Sequence, residues 1–255
     1  MTEVTPDVPQ GMQLLGAWID KTFRAWKAHW RLWTAIGGLY FAVQAGAAIL
    51  LGRALGNPYF PRQSDWTQEE IAIYIPLVAL IVLILRALFE PVMVMLALAQ
   101  MREETPSAGT LLRAAERLLI PALVLFLLVS LLYLLGLLVF VIGLLYAAVS
   151  LYLVLPILVD QKTGPLNAIR LSWLATNRNF FFFFFFSGFF WLLGFASTVL
   201  QQPFLIERSP AGLLWSLFIG AIIIPWILIA QAAAYDEVFR GGEAGGAEAA
   251  APEQE

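Results

Sequence analysis

Cysteine is absent from this 255-residue chain. That excludes disulfides, thiolate nucleophiles and cysteine-based metal sites. Histidine occurs once, as His29 beside Trp30. No acidic or histidine cluster surrounds it in sequence, so a structural or solvated role outweighs a ligand role, and a Ser/His/Asp set would have nothing else to use. Charge is scarce too: 13% of residues are charged, where soluble domains carry about 25%. No strand pattern is evident, and no glycine-rich phosphate loop follows one. The acidic pairs Glu69-Glu70 and Glu103-Glu104 diverge on a helix and gather no carboxylate site. Nothing reaches a catalytic constellation. The chain reads as non-enzymatic, with no cofactor or metal implied and no nucleic-acid partner.

What fills the chain is apolar sequence. It is 60% hydrophobic, with a mean hydropathy of +0.79, and the excess is blocked into long stretches. Residues 118–159 form a run of 42 without one charge. A bilayer core is ~30 Å thick and a helix rises ~1.5 Å per residue, so one straight helix of that length would cover about 63 Å. Two spans joined by a short uncharged turn are the economical reading. Gly136 and Gly143 are the run's only glycines and bracket the expected turn. Pro156 is expected to bend the fourth span or begin its exit.

Residues 1–11 read as disordered, and they lack the basic n-region of a cleaved signal peptide. Residues 12–31 read as a basic amphipathic helix: Ile19, Phe23, Trp26, Trp30 and Trp33 share a face, and Lys21, Arg24, Lys27 and Arg31 fill the rest. A basic helix with a tryptophan stripe suits the headgroup boundary; packing on the bundle is the alternative. Six spans follow, over about 32–52, 71–101, 118–141, 144–160, 180–201 and 213–235. In the first, Thr34, Gly38, Ala42 and Gly46 recur at every fourth position, a stripe that would admit another helix closely. Thr67 and Glu70 form a capping-box pattern ahead of the second span. Thr105-Pro106 and Gly164-Pro165 suggest starts for two further amphipathic segments. The seven phenylalanines 180–186 cover every face of a helix, which indicates lipid contact and bulk packing rather than a shaped pocket. The Gly/Ala/Glu segment 241–255 reads as a disordered acidic tail.

The fold class expected is therefore all-α: a polytopic helical membrane protein of six transmembrane helices with cytoplasmic amphipathic helices. A threefold repeat of amphipathic helix plus two spans suggests itself, because Phe23–Trp30 aligns with Trp173–Phe180 without gaps. With six spans, 11 basic residues fall on one side and three on the other, which places both termini in the cytoplasm.

Two features go beyond scaffold. Arg86 and Glu90 lie one turn apart on the second span, with Arg86 roughly 22 Å along the helix from Ile71 at ~1.5 Å per residue. Charge at such depth costs about 2.5–3.5 kcal/mol by insertion scales. It is either a self-neutralising pair with a snorkelling arginine or a polar element of a transport pathway. The second feature is the basic rim: Lys21, Arg24, Lys27, Arg31, Arg113, Arg117, Arg170 and Arg178 could hold lipid headgroups. Ordinary positive-inside topology demands the same charges.

Leu155-Pro156, then Gly164-Pro165-Leu166-Asn167-Ala168-Ile169-Arg170-Leu171-Ser172-Trp173, resembles the linker of the YciC-like bacterial membrane proteins. Ala234-Tyr235-Asp236 and Arg240 resemble that group's closing helix end, and Pro106-Ser107 through Leu111-Leu112-Arg113-Ala114 its middle segment. The membrane domain found with some glycerophosphodiester phosphodiesterases is similar; the phosphodiesterase domain itself is not on this chain. The likeness covers about residues 85–240. One departure is Val141-Ile142-Gly143, where the family often has Ile-Pro-Gly; the resemblance sets the turn near Ile142-Gly143. It implies a bacterial cytoplasmic-membrane protein of about six helices without established chemistry. The function expected is contact with membrane lipids, anionic ones among them, or with another membrane protein. The alternative is a small transporter or channel component using Arg86 and Glu90.

Overall fold

The computed structural model describes residues 12–54, 67–185, 187–189 and 210–249. Among them every regular element is a helix: α1 (Met12–Ala54), α2 (Gln68–Met101), α3 (Ala108–Leu138), α4 (Phe140–Ser150), α5 (Val154–Asp160), α6 (Pro165–Arg178), α7 (Phe180–Phe189) and α8 (Pro210–Ala249). Four stretches are long and apolar enough to cross a membrane: Ala72–Met101, Ala108–Leu138, Ile142–Asp160 and Gly220–Phe239. The N-terminal segment 1–11, the loop 55–66, the far part of the expected fifth span and residues 250–255 lie outside the described residues.

α1 joins two helices across a kink at His29 (φ −134°, ψ 30°), so its amphipathic start is set off from the first expected span. The second amphipathic segment does not stand apart: α3 runs without a break from its charged start to Leu138. Its cap is Ser107, whose Oγ accepts from the Thr110 N–H at 3.2 Å, not Thr105; Thr105 precedes a proline, which biases it toward extended backbone. α6 is a separate amphipathic helix, closed by Asn179 (φ −124°, ψ 42°).

The uncharged run breaks twice. The chain reverses at Val139, ahead of Ile142-Gly143, and the Val139 N–H donates to Gly136 O at 3.1 Å. Glycine is required on both sides because the two backbones touch: a Cβ on Gly136 would sit 2.8 Å from Gly143 O, and one on Gly143 would collide with Gly136 O. The second break, residues 151–153, separates α4 from α5. Pro156 explains its place. The ring supplies no N–H and crowds the carbonyl four residues back, at Tyr152.

The core sits at the charged end of the bundle. Met93, Val94, Ala97 and Leu98 of α2, all of α5 from Val154 to Val159, and Leu228–Ala230 with Ala232–Tyr235 of α8 are buried together. Trp33 (0% exposed) and Trp18 (6%) close this core from α1. The opposite end is open: Ile73, Ile75 and Leu80 of α2 and Leu131, Leu134, Leu135 and Leu138 of α3 are exposed. A helix bundle that leaves leucine and isoleucine bare along long apolar helices is built for a lipid solvent.

Two sequence expectations change here. The segment after Arg240 continues α8 to Ala249 instead of forming a disordered tail up to that point; extending an existing helix needs no new nucleus, although four of the nine residues are glycine, a poor helix former. The close helix approach on α1 runs through Gly37, adjacent to the stripe of Thr34, Gly38, Ala42 and Gly46. A Cβ on Gly37 would lie 2.5 Å from Ala221 O and 2.6 Å from Pro225 Cγ of α8, whereas one on Gly38 would make ordinary contact with Ala221 Cβ at 3.7 Å and one on Gly46 would meet nothing within 4 Å. Ala42 is exposed. The buried face is Trp33, Gly37 and Tyr40, because those positions meet α8 and α2.

Candidate functional site

Two polar clusters interrupt this apolar frame. The first lies along α2. Arg86 Nε donates to Glu90 Oε1 at 2.7 Å, and Nη2 donates to Oε2 at 3.3 Å. Tyr40 of α1 donates its hydroxyl to the same Oε1 at 3.4 Å. The guanidinium also lies over the Phe126 ring of α3, 4.7 Å from its centroid, a contact worth about 0.5–2 kcal/mol. The pair is asymmetric: the Glu90 side chain is 10% exposed and that of Arg86 45%. The carboxylate is thus locked into the bundle, while the Arg86 side chain remains partly exposed.

The second cluster joins the charged ends of four helices. Arg102, just past α2, makes a bidentate pair with Asp160 at the end of α5, at 2.6 and 2.8 Å. Tyr235 of α8 donates to Asp160 Oδ2 at 2.8 Å and accepts from Gln161 at 3.4 Å. Its neighbour Asp236 lies 3.8 Å from Arg102 Nε and accepts from Lys21 of α1 at 2.5 Å; Lys21 also reaches Glu237 at 2.9 Å. Forked arginine–carboxylate geometry gives short, directional bonds. Here it clamps α1, α2, α5 and α8 at one level. Burial by itself would lower the Lys21 pKa, but the bonds to Asp236 and Glu237 outweigh it and raise the value above 10.5. Arg102 is also raised, first by its hydrogen bonds to Asp160.

A third arrangement repairs the break in the uncharged run. Ser172 of α6 donates to Ser150 O at 2.7 Å and accepts from the Leu153 N–H at 3.2 Å. Thr176 donates to its own helix at Ser172 O, 2.8 Å away. All three side chains, Ser150, Ser172 and Thr176, are buried. One hydroxyl therefore bridges the carbonyl and amide that the broken helix leaves open.

The residues singled out from sequence scatter differently from expectation. Arg86 and Glu90 come together. Lys21 is engaged by two carboxylates and so is not an open headgroup contact. Arg24 is exposed beside Asp20, at 2.8 Å. Lys27, Arg31, Arg113, Arg117, Arg170 and Arg178 are exposed, Arg31 next to Trp30 at 5.5 Å from the ring centroid. The clamp and the Ser172 bridge were missed. Their signal was present: Arg102, Asp160 and Asp236 each end an apolar stretch, and an acid at a basic rim calls for a cation. Comparison with known families, curated proteins and solved structures finds no match for this chain.

Proposed function

We propose that this chain is a non-enzymatic, six-span protein of a bacterial cytoplasmic membrane that acts through contacts with membrane lipids or with another membrane protein. Both termini lie in the cytoplasm, where the basic rim meets anionic headgroups. The observation that carries the reading is the division of the surface. Exposed Ile73, Ile75 and Leu80 of α2 and Leu131, Leu134 and Leu138 of α3 lie away from the charged ends of these helices, and exposed Lys27, Arg31, Arg113 and Arg117 lie on the early turns of α1 and α3, with exposed Trp30 among them. Tryptophan and basic residues at one level match the headgroup boundary.

Membership of the YciC-like group is part of the proposal. Its support is that motif residues carry buried contacts: Ser172 bridges the α4–α5 break, and Tyr235 and Asp236 belong to the clamp. The repeat is supported in its first and third units. His29 and Asn179, paired by aligning Phe23–Trp30 with Trp173–Phe180, have similar non-helical dihedrals. At the same offset Trp18 pairs with Ala168, Thr22 with Ser172 and Trp33 with Phe183, and all six are buried.

The second reading, a transport pathway through Arg86 and Glu90, draws on the partial exposure of Arg86. Lipid co-purification separates the two. The lipid reading expects anionic lipid enriched over the bulk membrane around the purified protein, with the enrichment lost when Lys27, Arg31, Arg113 and Arg117 are changed to glutamine. Bulk lipid composition around the unaltered protein would overturn it. A phenotype that survives replacement of both Arg86 and Glu90 by leucine, in a stable protein, removes the pathway reading.

A further inference from the structure

The kink at His29 sets the first arm of α1, residues 12–28, apart from the span that follows. Beyond the kink α1 and α8 run antiparallel: Gly37 lies against Ala221 and Pro225, and Phe41 lies against Gly220. Before the kink the order along α8 reverses. Trp18 Nε1 donates to Ala230 O at 2.8 Å, while Lys21 reaches Asp236 and Glu237, further along α8. An arm that continued the antiparallel run would have Trp18 meet α8 beyond Lys21. The arm therefore crosses α8 at the level of the clamp.

This arm has two apolar faces. Trp18 and Thr22 are buried. Leu15, Ile19 and Phe23, each one turn from the next, form a second stripe that is 39%, 51% and 57% exposed. Lys21 fixes which way that stripe points. Ile19 and Phe23 each lie two residues from Lys21, so at 3.6 residues per turn they point about 160° away from it. Lys21 reaches toward the charged end of α8, so Ile19 and Phe23 face the opposite way, toward the apolar length of the bundle. Arg24 and Lys27 are exposed, on the side of the arm turned away from Trp18.

We infer that this arm is an in-plane wedge in the cytoplasmic leaflet, with Leu15, Ile19 and Phe23 among the upper acyl chains and Arg24 and Lys27 at the headgroups. The inference rests on the membrane reading above and names the surface that covers the stripe. Three observations favour lipid as the occupant. The stripe points away from the side on which a soluble partner would approach. It lies beside helices that themselves leave leucine and isoleucine bare. Exposed cations flank it, as they flank helices that lie ~5–10 Å into the headgroup boundary. α6 carries an exposed aromatic residue, Trp173, at the position aligned with Phe23.

The test uses the full chain, which has no cysteine of its own. Ile19→Cys, Phe23→Cys, Ala17→Cys and Leu127→Cys are each labelled with an environment-sensitive fluorophore and reconstituted into phosphatidylglycerol–phosphatidylcholine vesicles that contain lipid brominated on the acyl chain. Ala17 is exposed and lies one turn from Lys21, on the same side of the arm; Leu127 is an exposed residue of α3. The labels at Ile19, Phe23 and Leu127 should shift to the blue and lose fluorescence to the brominated lipid, while the label at Ala17 keeps its emission. If Leu127 is quenched and Ile19 and Phe23 are not, or if Ala17 is quenched as strongly as they are, the wedge is overturned and the membrane reading stands. An unquenched label at Leu127 overturns both.

Discussion

Single residues show how this protein handles charge in apolar surroundings. Glu90 is the more committed member of its pair, because its carboxylate is buried and receives bonds from both Arg86 and Tyr40. Removing one partner strands the other. Arg86→Leu alone leaves a buried carboxylate without its cation and should cost about 3–5 kcal/mol, whereas replacing both Arg86 and Glu90 by leucine should cost much less. Thermal unfolding of the single and double variants in the same detergent checks this; equal losses would show that the two residues are not coupled. Lys21 carries a pH prediction. Its pKa is raised in the fold, so its contribution is complete below the unfolded value of 10.5 and is lost only as pH climbs through the higher folded value. Comparing unaltered protein with Lys21→Met, the difference in stability contributed by the Lys21 charge should be flat from neutrality to about pH 9.5 and shrink in strong alkali. A difference that vanishes near neutrality would contradict the clamp.

At the scale of elements, the sequence is legible where one helix decides the outcome and opaque where two helices do. The uncharged run between Arg117 and Asp160 announces a hairpin, and its two glycines bracket the observed reversal. The turn itself falls at Val139 because Gly136 and Gly143 meet face to face, a contact between helices that spacing alone does not reveal. The same holds for α1. Its small-residue stripe marks the correct helix, yet the close contact with α8 is at Gly37, one position away, since the rotation of the helix is set by Trp33 and Tyr40 meeting α2 and α8. The break at 151–153 follows from Pro156, but its repair by Ser172 requires knowing that α6 lies against it. Ser172→Ala removes both bonds, leaves the Leu153 N–H unsatisfied in the core and leaves Ser150 O only the long bond from Thr176 at 3.5 Å, at about 1–3 kcal/mol. Ser172→Thr, which keeps the hydroxyl, should retain part of that stability in the same assay. Gly143→Leu drives a side chain into the Gly136 carbonyl and should open the hairpin. The thermal unfolding midpoint of this variant in the same detergent should fall below the parent's, and an unchanged midpoint would contradict the tight α3–α4 contact.

The whole molecule has two unlike ends. One is a packed core in which the ends of α2 and α8, the short α5, α6 and the start of α1 are held by the Arg102–Asp160–Tyr235 and Lys21–Asp236 bonds. The other is a set of apolar helices with bare side chains, joined at Val139. The clamp therefore stabilises the end where the basic residues lie, and the lipid-exposed end is left without polar constraints. The absence of cysteine makes the central claim directly measurable, because any introduced thiol is the only one in the chain. Ile142→Cys sits beside the reversal, and Leu166→Cys and Leu112→Cys sit at the basic end; these residues are 79%, 72% and 74% exposed. Labelled in intact cells with a membrane-impermeant maleimide, the Ile142→Cys protein should react at once, and the Leu166→Cys and Leu112→Cys proteins only after the membrane is permeabilised. Reaction of either basic-end variant in intact cells, or protection of the Ile142→Cys variant under both conditions, would contradict the account.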